Sequence, residues 1–340
     1  MPMKIVAGFQ HTPGVHCGST ALRDLLHQIG IDLSEAMCFG LGSGLGFYYL
    51  RGLRGGMPSH LFHGRTLTLE HDLCAHLALD FEQGADDNAD GAWQTAKEWI
   101  DRGVPLLLNV ELSQLPYYNT RTPFPGHRIV LAGYDDARRV AFLADTQFPG
   151  LQEVSYDTLR AARAAELSLR NEWLAIKLTQ DPVPLADAVV SALRDNALGM
   201  NLDRAPHQAI MGMELLAEDF ENWGDAPDWR WCAKFGYQII EVRGTGGGFF
   251  RKMYAEFLRE VEDPAQFAWA EVLDERLHAA KLAETMDSIA NEWSVFARLL
   301  QRIAAEQERT AFADASRAIR RLAMREETFW GKVLDTIGRE

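Results

Sequence analysis

The feature that most limits the fold is a change of pattern near residue 182. Before it, apolar residues follow two periods. Ala21, Leu22, Leu25, Leu26 and Ile29 recur at helical spacing, and Gly30 stops them. Thr68–Leu79 and Asp90–Arg102 read as two more helices, the second ended by Gly103. Short apolar runs bounded by turn residues follow, at Pro105–Leu112, Arg128–Gly133, Val140–Ala144 and Trp173–Leu178, as buried strands require. Beyond Gln180-Asp181-Pro182-Val183-Pro184 strand signals almost vanish. Long amphipathic patterns take over, through Leu185–Leu198, Pro206–Trp223, Gly248–Val261, Gln266–Ala283, Met286–Glu306 and Thr310–Leu334. The order predicts an α+β domain over residues 1–182, with helices packed on an antiparallel sheet, and an all-α domain over 183–340.

Charge and cysteine usage narrow the function. A net charge of −14 opposes binding to nucleic acid or to an anionic membrane surface. No apolar stretch reaches the roughly 18 residues a transmembrane span needs. Met1–Lys4 leads directly into an expected Ile5–Ala7 strand, so no secretory signal is expected. Cys17, Cys38, Cys74 and Cys232 show no CxxC and no disulfide-framework spacing, which fits a reducing cytoplasm.

Chemistry concentrates in Gln10–Leu26. Cys17 stands just before a helix, where unpaired N–H groups and the positive dipole end favour a thiolate. His127 opens the Arg128–Gly133 strand after the loop Thr122-Pro123-Phe124-Pro125-Gly126. Asp145 closes the partner strand across the Asp135–Arg138 turn, so the imidazole and the carboxylate can meet. The carboxylate would fix the tautomer and the imidazole would take the thiol proton. Cysteine on a helix, then histidine and aspartate on a sheet, is the papain-like arrangement. Gln10 is the candidate oxyanion donor with the Cys17 backbone N–H; His11 and His16 are rivals. Cys38, Cys74 and Cys232 read as packing residues. Phe47, Tyr48, Tyr49, Tyr117 and Tyr118 are candidate pocket walls or core.

The run from His16 to Tyr49, with Leu115–Tyr118 and Gly126–Asp135, resembles the amino-terminal domain of butirosin biosynthesis protein H and its relatives. Gly244–Leu258 resembles the helical domain that follows it in that family. The resemblance implies a papain-like fold related to bacteriocin-leader peptidases. It also implies an acyltransferase that moves an acyl group from a carrier protein's phosphopantetheine thioester to a small-molecule amine, with no bound cofactor. Cys17 would be the acylated nucleophile, His127 the base and Asp145 its orienting partner. Leader peptidases place a glutamine six residues before the cysteine, whereas Gln10 lies seven before Cys17. A hydrolase of the same fold and a binding protein with a vestigial triad are the alternatives, and self-association stays open.

Three further patterns have two readings each. Gly40–Gly46 matches no phosphate-binding motif, and its glycines are expected to let backbone pass close to the active-site wall. Gly244–Gly248 opens a helix and, with Arg243 and Arg251, could hold a pantetheine phosphate, or it is an interdomain hinge. Arg317, Arg320, Arg321 and Arg325 form a stripe that either pairs with Glu326 and Glu327 or docks an acidic carrier protein. His71, Cys74 and His76 lack the ligand pairs of a metal site.

Overall fold

A computed structural model describes residues 3–53, 57–124, 126–165, 170–201 and 205–338; Met1 and Pro125 lie outside them. The chain begins with β1 (Lys4–Ile5), α1 (Cys17–Gln28), α2 (Glu35–Leu41), β2 (Leu45–Arg51), β3 (His60–Arg65) and α3 (Leu69–His76). It continues through β4 (Asp80–Gly84), α4 (Ala89–Asp101), β5 (Leu106–Val110), β6 (His127–Asp135), β7 (Val140–Ala144), β8 (Gln152–Ser155), α5 (Tyr156–Ala164) and β9 (Trp173–Lys177). Among the described residues only helices follow: α6 (Leu185–Asn201), α7 (Ala209–Trp223), α8 (Trp229–Glu241), α9 (Arg251–Glu262), α10 (Glu271–Ala280), α11 (Leu282–Glu306) and α12 (Phe312–Ile337). Contacts divide the chain into two units, Met1–Cys38 with Ala78–Pro182, and Phe39–Leu77 with Val183–Glu340.

The first unit is α+β. Its antiparallel sheet runs β4-β9-β5-β6-β7-β8, with β1 on the far end of β6. Strands β5 and β6 are buried on both faces, which is why they read as unbroken apolar runs, and α1, α4 and α5 all pack on them. Leu106, Leu108, Val110, Ile129, Leu131, Ala141 and Leu143 share one core with Trp99 and Ile100 of α4 and Leu159 of α5. The β6–β7 turn is held by the Asp135 carboxylate, which accepts from the backbone N–H of Ala137 and Arg138 at 2.9 and 3.1 Å. Val130 pairs with Ala144. Continued by one residue, this register sets Asp145 opposite Ile129 and diagonal to His127, a spacing that long side chains can bridge.

The second unit is a helical bundle carrying one hairpin. Strands β2 and β3 pair antiparallel and pack with α6, α7 and α8. The expected division at 182/183 is one place where the chain passes between units; residues 39–77, expected in the first, belong to the second. The cause is the aromatic content of the hairpin. Phe47, Tyr49 and Phe62 are buried, and their rings contact Trp223, Phe249, Trp293 and Phe296 of the helical segments. Phe47 and Tyr49 are therefore core, and the Tyr49 hydroxyl accepts from the Trp223 indole at 3.0 Å. The glycines also serve this packing: a Cβ on Gly40 would fall 2.2 Å from the Phe257 ring, and one on Gly64 2.7 Å from Phe249. Gly40 is thus a close-packing site in the bundle, where an active-site wall was expected. Among the described residues no helix is long and apolar enough to cross a membrane.

Candidate active site

Cys17 is the first residue of α1, so its amide has no partner within the helix and its sulfur sits at the positive end of the dipole. The turn before it is held by one carboxylate. Glu35 accepts from the backbone N–H of Val15 at 3.1 and 3.0 Å and of His16 at 2.7 Å, and from the hydroxyls of Ser19 and Thr20, both at 3.1 Å. Sequence reasoning missed Glu35, because no periodicity marks a carboxylate that bonds backbone of a distant turn. His16 is the N-cap: its ring accepts from the Ser19 N–H at 3.3 Å. Gly14 N–H donates to the carbonyl of Thr146 at 2.6 Å, which ties this turn to the residue after Asp145.

His127 and Asp145 meet as the hairpin register requires. The His127 Nε2 lies 2.8 Å from Asp145 Oδ1, and both side chains are buried. That leaves Nδ1 as the ring nitrogen that can serve a thiol, and the His127 ring and the Cys17 sulfur favour each other's charged forms. Tyr118 donates to the same Oδ1 at 2.9 Å and Tyr117 to Oδ2 at 2.7 Å. Phe148 packs edge-on against both tyrosine rings, at centroid distances of 4.9 and 5.1 Å. Tyr117 and Tyr118, candidate pocket walls, direct their hydroxyls to Asp145. The loop that carries them is held by buried Glu111, whose Oε1 accepts from Ser113 N–H at 3.0 Å and Phe124 N–H at 2.8 Å.

The electrostatics follow from these contacts. Burial opposes a thiolate at Cys17, but hydrogen bonds from His127 and His16, with the positive charge of an imidazolium, hold it well below the usual thiol range. Burial likewise opposes a charged His127; the Asp145 carboxylate and then the Cys17 sulfur raise it above its ordinary value. Asp145 stays below the usual carboxylate range despite burial, because His127 and two tyrosine hydroxyls stabilise its charge. The other thiols contrast with Cys17. Burial pushes Cys74 up to about 12 and also raises Cys232, and Cys38 is fully buried.

The other expected residues have different surroundings. Gln10 is exposed, whereas a donor to a transient charge must be held before that charge forms. His11 is committed at both nitrogens, Nδ1 to Asp24 at 2.5 Å and Nε2 to the Phe148 carbonyl at 3.0 Å. Arg251 is 0% exposed and paired with Glu326, so it cannot receive a phosphate from solvent. Arg243 is half-buried, bonded to Gln238 at 3.3 Å and stacked over Phe235. The anion at the glycine loop is the chain's own: Glu241 accepts from Gly248 N–H at 3.2 Å and from the Ser294 hydroxyl at 2.6 Å. Of the arginine stripe, Arg317 pairs with Asp314, and Arg325 with Glu292 and Ser288; Glu326 is taken by Arg251.

Among the described residues no three metal-ligating side chains converge. No curated protein matches the chain. Two family profiles do. The one described as butirosin biosynthesis protein H, N-terminal, matches residues 16–146. It starts at His16 and stops at Thr146, so Cys17, His127 and Asp145 all fall inside it. A second, described as a domain of unknown function (DUF4872), matches residues 157–333, more than half of the 340-residue chain. With both profiles matched in this order, the chain belongs to the butirosin biosynthesis protein H-like family, its N-terminal family region followed by that domain of unknown function.

Proposed function

We propose that this protein is an acyltransferase of specialised metabolism, of the kind that antibiotic biosynthesis uses, and that it works through an acyl-Cys17 thioester. One observation supports the reading most: buried His127 bonds the buried Asp145 carboxylate at 2.8 Å and favours the thiolate of Cys17 at the start of α1. In the first half-reaction the Cys17 thiolate attacks the carbonyl carbon of an acyl thioester, and a C–S bond forms. The tetrahedral oxyanion collapses, the donor's C–S bond breaks, and the leaving thiolate takes the proton held by His127. In the second half-reaction an amine attacks acyl-Cys17 and gives its proton to His127. Collapse then releases the amide and restores the Cys17 thiolate. Asp145 keeps the ring oriented and stabilises its positive charge, while Tyr117 and Tyr118 keep Asp145 ionised in a buried place. The donor would be the phosphopantetheine thioester of an acyl carrier protein, and the acceptor a small-molecule amine.

Partitioning tests transfer against hydrolysis. With an acyl-pantetheine thioester and rising concentrations of primary amines, amide should replace free acid as product while Cys17→Ala gives neither. Free acid at every amine concentration would make the protein a hydrolase.

A further inference from the structure

Two imidazoles flank Cys17, and the reaction above uses one of them. The other, His16, is 4% exposed, and its Nδ1 accepts from the Ser19 backbone N–H. A backbone N–H can only donate, so Nδ1 is the acceptor nitrogen and the ring proton resides on Nε2. The Ser19 hydroxyl lies 3.0 Å from Nδ1 and 3.1 Å from Glu35, and it can rotate to suit either. The His16 ring is also within hydrogen-bonding reach of the Cys17 thiol. Its backbone cannot drift, because Glu35 holds the N–H groups of both Val15 and His16.

We propose that His16 is the fixed side-chain donor of the site: its Nε2–H bonds to the Cys17 sulfur and then to the oxyanion that forms on an acyl group attached there. The inference rests on the acyl-transfer reading and fills the role that exposed Gln10 leaves open. The two rings divide the work. His127, oriented by a carboxylate, moves a proton. His16, its tautomer set by the helix's own backbone, keeps one and lends a hydrogen bond that needs no reorganisation when charge develops. His16 thus connects helix capping to catalysis, since the same N–H that starts α1 orients the donor.

Asparagine is among the best helix caps, so His16→Asn keeps a partner for the Ser19 N–H while removing the ring donor. Iodoacetamide alkylation of Cys17, read by peptide mass between pH 4 and 10, reports the thiolate without any substrate. In His16→Asn the alkylation midpoint should rise by about one unit, a tenfold change worth ~1.4 kcal/mol, with the unfolding midpoint unchanged. Turnover of an acyl-pantetheine thioester should fall in kcat with KM held. His127→Ala serves as the comparison. A His16→Asn midpoint equal to wild type, beside a raised one in His127→Ala, overturns the role of His16 and leaves the acyl-transfer reading standing. A wild-type Cys17 that alkylates no faster than an ordinary thiol at neutral pH overturns both.

Discussion

Arg251→Ala is expected to destabilise the second unit strongly, because this arginine is a core residue. Its Nε and Nη2 donate to the two oxygens of Glu326 at 2.9 and 2.8 Å, and its Nη1 to the carbonyls of Phe249 and Gly64 at 2.9 and 3.1 Å. The guanidinium also stacks near Phe249 and Trp293, at 5.3 and 5.1 Å from their ring centroids. Both charged side chains are 0% exposed. Truncation leaves Glu326 with the Trp293 indole N–H, at 2.6 Å, and takes the donor from two carbonyls. Breaking a buried pair from one side costs ~3–5 kcal/mol. Each orphaned carbonyl adds ~1 kcal/mol. Against a total stability of ~5–15 kcal/mol, that is a large part of the margin. In urea, followed by tryptophan fluorescence, the midpoint should fall by at least ~1 M at a slope of ~3 kcal/mol/M. Arg251→Met with Glu326→Gln should lose less than Arg251→Ala alone, since no unpaired charge stays buried. A folded Arg251→Ala protein with the wild-type midpoint would return Arg251 to a ligand-facing role.

Two other perturbations probe the candidate site. Asp145→Asn should slow turnover less than His127→Ala does, because orientation is lost while a base remains; equal losses would contradict the assigned roles. Its stability cost has a definite pH sign. Asp145 lies below its ordinary value when folded, so its contribution is full above about pH 4 and is lost as pH falls further; unfolding of wild type and Asp145→Asn should converge in acid. Gly14→Ala would set a Cβ 2.1 Å from Thr20 Oγ1 and 2.6 Å from Glu35 Oε2, so the turn before Cys17 must shift. Turnover should drop about tenfold or more while the bundle's unfolding stays at the wild-type midpoint; unaltered kinetics would show that the Glu35 clamp does not position the nucleophile.

Legibility in the sequence followed how locally each feature is encoded. Helix α1 and strands β5, β6, β7 and β9 were readable because each has one period or an unbroken apolar run and a turn residue at its end. The meeting of His127 and Asp145 was readable for a related reason: a hairpin with a short turn fixes its own register. Strands β2 and β3 were not, since glycines at 46 and 64 interrupt the pattern: Gly46 lies against the backbone of Arg65 and Thr66, and Gly64 against the distant Phe249 ring. Helix α8 went unrecognised between the tryptophan-rich run at 223–231 and the glycine loop. Glu35, Tyr117 and Tyr118 illustrate the harder limit. Their roles are hydrogen bonds to residues 15 or more positions away, which no spacing rule encodes. Arg251 misled for the opposite reason: a cation beside a glycine-rich helix start has the local look of an anion site, and only the fold reveals that Glu326 fills it.

The acyl group is expected to pass through Cys17, and intact mass measures that directly. After brief exposure to an acyl-pantetheine thioester, the chain should gain the mass of one acyl group. Proteolysis should place it on the peptide containing Cys17, and adding a primary amine should discharge it with the matching amide appearing. Cys17→Ala should gain nothing. An acyl group on Cys38, Cys74 or Cys232, or amide formed at the wild-type rate by Cys17→Ala, would contradict the account.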